Sequence, residues 1–485
     1  MDNLNFSLAR LFPEAVFLAL VLVQMTGSML KNSSSSLANF LIRLCPVGAL
    51  LAAVLAACSL SAAPQDMFYQ GYRIDGLSQF FKVLVSLGYL VAWFNTRPQT
   101  TVEEELKPDY YLFLTLSAFG LLVLSSAAEL VAIYLAMELS SYALYVLIPA
   151  RTRSKQAAEA GLKYILFGAA ATALALYGLA MIIATQGGTV ISELSQKTWL
   201  VPDNILAVAG LTLFLSGMFF KLALFPFHFW CPDVYQGAGN ETAAYVATLP
   251  KLGAVIVLIR IGTMLAPGQP VTTTLAVLAA VSITYGNLAA LAQKDLKRML
   301  GFSSVAHAGY ILVGLVSGTA EGLAAAAFYA MAYVLMNLLC FWVIARISTD
   351  GRNLTYQDLN GLSARSPYLA LSLLAAAFSL VGLPPTVGFI GKLWLITSAW
   401  GHGYDWLVIV VCVNTAIAIF YYLSLVRHAY SEETIYHGAV QSLALDKSLM
   451  SQAGAVILAL LVILLGIIPS PVYGLLLSVV KVLTS

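Results

Sequence analysis

The stretch MFFKLALFPFHFW (218–230) sets a lysine, Lys221, inside an apolar run and follows it closely with a proline. Pro226 has no N–H to offer the carbonyl of Leu222, and its ring clashes there, so a helix through this stretch must break or kink one turn beyond the lysine. Free carbonyls beside a buried ammonium form a polar site in an apolar interior, the broken-helix pattern of membrane transporters. His228, just past the break, is a side chain that can exchange a proton near neutral pH.

Reading outward, this run is one of fourteen apolar stretches, near 12–30, 37–60, 77–96, 110–126, 128–149, 157–184, 204–228, 241–264, 273–292, 303–317, 321–346, 367–399, 406–428 and 450–468. The 485 residues are 60% hydrophobic and only 10% charged, against about 25% charged in soluble globular chains. The runs are long and continuous rather than short and alternating, which predicts helices and excludes a barrel. The fold class is therefore all-α, a polytopic membrane protein of about fourteen transmembrane helices. Five cysteines, Cys45, Cys58, Cys231, Cys340 and Cys412, show no CxxC spacing, so zinc, iron–sulfur and c-type haem sites find no support. The net charge of +2 leaves no nucleic-acid footprint.

Loop cations set the orientation. Lys31, Arg43, Arg97, Lys107, Arg151, Arg153, Lys155, Lys294, Lys297, Arg298, Arg346, Arg352, Arg365, Arg427 and Lys447 fall on one side. Arg10, Arg73, Lys197, Arg260 and Lys481 fall on the other. The excess places the first set in the cytoplasm and both termini in the periplasm.

Five lysines remain inside spans: Lys82, Lys163, Lys221, Lys251 and Lys392. A charge at a helix centre costs at least ~2.5–3.5 kcal/mol on insertion scales, so such residues mark function by default. Lys82 lies near its span end and can snorkel; Glu129 and Glu159 are also close to ends. Glu138 is central in its span and must be paired or protonated. With four central lysines and one central carboxylate, most of the positive charge is uncompensated. That imbalance predicts lysines that exchange between charged and neutral forms, which a proton relay requires, and argues against a sodium site, which needs oxygen ligands.

Lys392 repeats the theme. The run 367–399 is long for one span, and Gly382, Pro384, Pro385, Gly388 and Gly391 interrupt it. Two broken helices, in the seventh and twelfth spans, suggest a five-helix repeat, spans 4–8 and 9–13, with one copy inverted. The implied divisions are 1–109 for helices 1–3, 110–264 and 265–430 for the repeats, and 431–485 for helix 14. His307, with Ser303 and Ser304 beside it, opens the tenth span.

Four segments carry a resemblance: FKLALFPFHFWCPDVYQGA (220–238), AMELSSYAL (136–144), GNLAALAQKDLKRMLGFSSVAHAGY (286–310) and GLPPTVGFIGK (382–392). They resemble the antiporter-like subunits of proton-pumping NADH–quinone oxidoreductase, respiratory complex I. PDVYQGA has the form of subunit N rather than that of subunits L and M. The resemblance covers spans 4 to 13 and implies that Glu138, Lys163, Lys221, Lys251, His307 and Lys392 handle protons. It also implies two inverted repeats. One departure is present: the family's Pro-x-Pro at the start of helix eight is replaced by QGAGNETAAY (236–245), which brings Glu241 to this point.

With the buried charges, the resemblance implies a membrane-arm, proton-translocating subunit in a bacterial inner membrane. Glu138 and Lys221 form the entry pair, and the route runs through Lys251 and His307 to Lys392. The resemblance implies that NADH, FMN, iron–sulfur clusters and quinone reside in partner subunits and none in this chain. The implied partners are a neighbouring antiporter-like subunit M, small membrane subunits and lipid, in a hetero-oligomer. The alternatives are a cation/proton antiporter subunit of the same fold, a membrane subunit of a related hydrogenase or ferredoxin-linked complex, and a passive scaffold.

Overall fold

The computed structural model describes residues 9–29, 35–152, 154–197, 199, 204–265, 268–432 and 444–484. Lys31 and Arg153, counted above with the loop cations, lie outside these residues. The N-terminal part holds α1 (Phe12–Met29), α2 (Ser35–Ile42), α3 (Cys45–Cys58) and α4 (Gly76–Thr96). The middle holds α5 (Lys107–Ser126), α6 (Leu130–Leu147), α7 (Lys155–Gln186), α8 (Ile205–Leu222), α9 (Trp230–Gly237) and α10 (Asn240–Gly262). There follow α11 (Pro270–Leu291), α12 (Leu296–Val316), α13 (Ala320–Ile347), α14 (Pro367–Val381), α15 (Val387–Ala399), α16 (Asp405–Ala429), α17 (Leu449–Ile467) and α18 (Ser470–Thr484).

Among the described residues thirteen helices are long and apolar enough to cross a bilayer. The half-length α14 and α15 follow one another in place of the long run 367–399 and supply a fourteenth crossing. Helix is the form in which an apolar run satisfies its own backbone in lipid. Starts are set by capping side chains: Asp75, Ser154, Asp295 and Thr319 each accept a backbone N–H from the first turn that follows.

Every residue of α10 is buried, and α12 and α13 are nearly so. These three helices form the axis of the molecule. The outer helices present leucines such as Leu22, Leu166 and Leu464 to the surroundings, as a lipid-facing wall should.

A short antiparallel hairpin, Gln65–Met67 with Tyr72–Ile74, precedes α4. Two readings of the sequence need correcting. A further helix, α18, follows the last span, and Leu476 and Val480 on it are fully buried. Arg260, Lys297 and Arg346 are not loop cations: each lies in the end turn of a helix and is buried. Each has found a partner there, which lets a charge sit where hydropathy alone would place it in water.

Candidate functional site

Helix α8 stops at Leu222, and Ala223 takes a left-handed conformation with φ +61°. The amide of Ala223 donates to the carbonyl of Phe220 at 3.0 Å and that of Leu224 to Phe219 at 2.9 Å. The Phe225–Pro226 peptide is cis. The carbonyl that Pro226 cannot serve, that of Leu222, accepts instead from the ammonium of Lys251 at 2.9 Å. The expected pairing of freed carbonyl and buried ammonium is therefore present, but the lysine is that of α10 and not Lys221. A helical side chain leans toward its own N-terminus, so Lys221 points back up the helix, away from the break. Its Nζ donates to the Tyr164 hydroxyl at 3.4 Å and lies 5.8 Å from that ring's centroid.

The second break is built the same way. Helix α14 stops at Val381, and Gly382 takes φ +89°. The amide of Leu383 reaches back to the carbonyl of Phe378 at 2.9 Å, and Pro384–Pro385 is cis. Residue for residue, Phe378, Val381, Gly382, Leu383 and Pro385 occupy the places of Phe219, Leu222, Ala223, Leu224 and Pro226. Lys392 on α15 turns its ammonium back onto the carbonyls of Leu380 at 3.3 Å and Val381 at 2.7 Å. The loop is tight enough to demand glycine at 388, where a Cβ would meet the Ser379 carbonyl oxygen at 1.9 Å. In both breaks, then, a cation sits at the negative end of a half-helix.

Hydroxyls and one imidazole occupy the space between the two ammonium groups. Ser304 on α12 receives a short hydrogen bond from Lys251 and makes another with Tyr333 of α13. Tyr235 of α9 joins Ser304 at 3.1 Å. One turn along α12, His307 binds the Tyr329 hydroxyl through Nδ1 at 2.7 Å and the Tyr422 hydroxyl through Nε2 at 3.1 Å. Tyr310 follows, and the ammonium of Lys392 lies 4.6 Å from its ring centroid. The Tyr310 hydroxyl accepts from Asn287, whose amide oxygen accepts from Tyr421 at 2.8 Å.

The remaining candidates fall into distinct settings. Glu138 is 5% exposed and accepts from Thr172 at 2.9 Å; among the described residues it makes no ion pair. Thr172 and Tyr164 lie two turns apart on one face of α7, so Glu138 and Lys221 contact the same helix at successive levels. Lys163, expected among the desolvated lysines, has a side chain 36% exposed and pairs with Glu159 and Asp233, each at 2.6 Å. Asp233 also binds Arg298 at 2.5 Å. His228 is buried among Phe225, Phe229 and Tyr285, and neither ring nitrogen has a hydrogen-bond partner among the described residues. The structure thus sets Lys251, His307 and Lys392 among the hydroxyls and rings of α12 and α13, holds Glu138 and Lys221 against α7, and leaves Lys163 in a separate ion-pair cluster and His228 in an aromatic one.

Lys82 does not snorkel. It is fully buried and pairs with Glu14 at 2.5 Å. Close by, Asp75 holds Arg260 through both carboxylate oxygens, at 2.9 and 3.1 Å. Burial alone would raise the Asp75 carboxyl, but the charge and hydrogen bonds of Arg260 outweigh it and hold the group below the usual carboxylate range. The partners of the axis that residue-by-residue reading missed are Tyr235, Tyr329, Tyr333 and Tyr422. A signal existed for two: Tyr329, Tyr333 and Asn337 recur every four residues on one face of α13.

A family model described as NADH:quinone oxidoreductase/Mrp antiporter, transmembrane, matches residues 127–418. The chain is 54% identical to "NADH-quinone oxidoreductase subunit N 2" of Solidesulfovibrio magneticus over 469 residues, 97% of this chain and 98% of that one. It is 42% identical to the protein of the same name from Opitutus terrae, with 96% of each covered. The chain belongs to the NADH-quinone oxidoreductase subunit N family. As a subunit N homologue it is an antiporter-like transmembrane protein of the respiratory chain. A chain of respiratory complex I from Thermus thermophilus with bound aureothin matches it with a TM-score of 0.80 at 32% identity, covering 96% of this chain and 98% of that one. A chain of the Mrp complex from Dietzia sp. DQ12-45-1b shares the fold, with a TM-score of 0.83 at 20% identity and 98% of each chain covered.

Proposed function

We propose that this chain moves protons across the bacterial inner membrane through Glu138, Lys221, Lys251, His307 and Lys392, coupled to quinone reduction in partner subunits. The observation that carries the reading is the pair of helix breaks. Each presents freed carbonyls to a buried ammonium, and hydroxyls and His307 lie between the two ammonium groups. Ser, Tyr and neutral His each have both a donor and an acceptor face, so they can take a proton on one side and give one on the other.

Glu138 sets the state of Lys221 across α7, where the carboxylate holds Thr172 and the ammonium holds Tyr164 two turns away on the same face. Protonation of Glu138 weakens the hold, and Lys221 releases its proton toward Lys251. Lys251 passes it through Ser304 and His307 toward Lys392. The energy scale is reasonable: one charge moved against 100 mV needs ~2.3 kcal/mol. The two halves around the breaks are two inverted five-helix repeats, and the excess of loop cations puts both termini in the periplasm. NADH, FMN, iron–sulfur clusters and quinone belong to other subunits, and the membrane neighbours are a second antiporter-like subunit and small helical subunits. The test is the whole complex in vesicles with a pH-sensitive dye. Lys221→Met and Glu138→Gln should each strongly lower NADH-driven proton movement; full coupling in both would end the proposal.

A cation/proton antiporter subunit is the second reading, favoured by the fold shared with the Mrp complex. Cation–proton exchange by the purified complex without any electron donor would decide for it.

A further inference from the structure

Glu241 is the second residue of α10 and is 1% exposed. One carboxylate oxygen, Oε1, receives a short hydrogen bond from the Thr101 hydroxyl. The other, Oε2, has no hydrogen-bond partner among the described residues. Thr101 is also part of the wall of a solvent-open, mainly polar cavity that includes Thr100, Arg151, Thr152, Lys155 and Asp350. The buried carboxylate therefore stands one hydrogen bond behind water. Two cations stand in this region: Arg151 in the cavity wall, and the fully buried Lys297, whose ammonium donates at 2.9 Å to the carbonyl of Ala238, three residues before Glu241.

In the other direction lies Lys251, on the same helix and about 15 Å along its axis. Glu241, Ala244, Thr248 and Lys251 are spaced i, i+3, i+7 and i+10, which places them on one face. The Thr248 hydroxyl supplies a polar group between the two charged ones. Helix α13 packs along α10, where the Tyr333 hydroxyl donates to the carbonyl of Ala247 at 2.8 Å. One turn from Tyr333, the fully buried Asn337 has an amide oxygen with no partner among the described residues. A strip of polar groups with spare hydrogen-bonding capacity thus runs from Glu241 to the Lys251–Ser304–Tyr333 cluster.

We infer that Glu241 is the proton-loading carboxylate of this chain, taking a proton from cavity water by way of Thr101 and delivering it along the α10–α13 face to Lys251. This rests on the relay reading given above. The balance is simple: Oε1 takes the proton of the Thr101 hydroxyl, which is refilled in the same step from hydronium in the cavity, and rotation of the neutral carboxyl turns that proton to the Oε2 side, where its release to a neutral Lys251 amine restores the carboxylate. Nothing else is transferred. A carboxylate that only balanced Lys297 and Arg151 would stay ionised throughout.

The intact complex in membrane vesicles separates these roles. Dicyclohexylcarbodiimide reacts with protonated carboxylic acids in apolar surroundings, so mass spectrometry of the treated wild-type complex should find an adduct on Glu241. Glu241→Gln, in complex assembled to the wild-type level, should lower NADH-driven proton movement about tenfold, and Glu241→Asp should restore most of it. Absence of the adduct, or wild-type pumping in Glu241→Gln, overturns the assignment. Should Glu241→Gln fail to assemble, the labelling decides. Lys251→Met serves as the control. Loss of pumping there with none in Glu241→Gln removes Glu241 alone, whereas pumping in both removes the relay itself.

Discussion

The ammonium of Lys251 donates to the carbonyl of Leu222 at 2.9 Å, so the cation of one helix closes the break in its neighbour. That carbonyl lacks an amide because Pro226 stands one turn further on. Lys251 is thereby held at the C-terminal end of α8, where the helix dipole is negative. From there it also reaches Ser304. One side chain is at once the structural cap of a broken helix and the neighbour of a chain of hydroxyls.

Lys251→Met should leave the Leu222 carbonyl without a partner and remove the proton-carrying amine. We expect NADH-driven proton movement to fall by on the order of a hundredfold. Complex stability should fall by about 1–3 kcal/mol for the orphaned carbonyl. Dye-quenching in vesicles and thermal unfolding of the detergent-solubilised complex measure the two separately.

Tyr333→Phe keeps the ring beside Lys251, whose ammonium lies 5.4 Å from its centroid, and removes only the hydroxyl that joins Ser304 and the Ala247 carbonyl. The expected outcome is slower proton movement with normal assembly. An unchanged rate would exclude the hydroxyl from the path.

Lys163 is half-exposed and shares Asp233 with Arg298. Exposed ion pairs contribute about 0–1 kcal/mol, and Arg298 remains to hold Asp233. Lys163→Ala should therefore cost far less pumping than Lys251→Met or Lys392→Met, measured side by side in the same vesicles.

Asp75 gives a pH prediction. Its carboxyl is held below the ordinary value by Arg260, so its contribution is complete above about pH 4 and is lost as pH falls through the folded-state value. Asp75→Asn should cost about 3–5 kcal/mol near neutral pH, because it strands a buried guanidinium. Its melting temperature should also change less than that of wild type between about pH 5 and pH 3.

Much of the fold was legible because lipid leaves a chain few options. Apolar runs of span length must be helices, and the structure places a helix on each expected run, with two shifts: the seventh stops early, at Leu222, and the tenth begins early, at Leu296, so that His307 is central in its helix rather than at its start. The two breaks were legible for the same reason: Pro226 and the Gly382–Pro384–Pro385 cluster cannot continue a backbone ladder. Glu138, Lys221, Lys251, His307 and Lys392 stood out because each carries a polar or charged group where hydropathy allows none, and all are buried. A position along a span does not say which face a residue occupies, so Lys163 reads as buried in the sequence while its side chain is 36% exposed in the structure.

What the sequence determined by itself is local: where the helices run, where they break, and which residues are out of place in an apolar segment. Each follows from one stretch of chain and its solvent. Which groups meet across helices was decided only by tertiary packing. That Lys251 and not Lys221 takes the Leu222 carbonyl depends on how α10 lies against α8, and that Tyr329 and Tyr422 hold the two nitrogens of His307 depends on α12, α13 and α16 converging. Tyrosine is common in apolar segments, so nothing short of its partners marks one hydroxyl as a link and the next as a ring in the core.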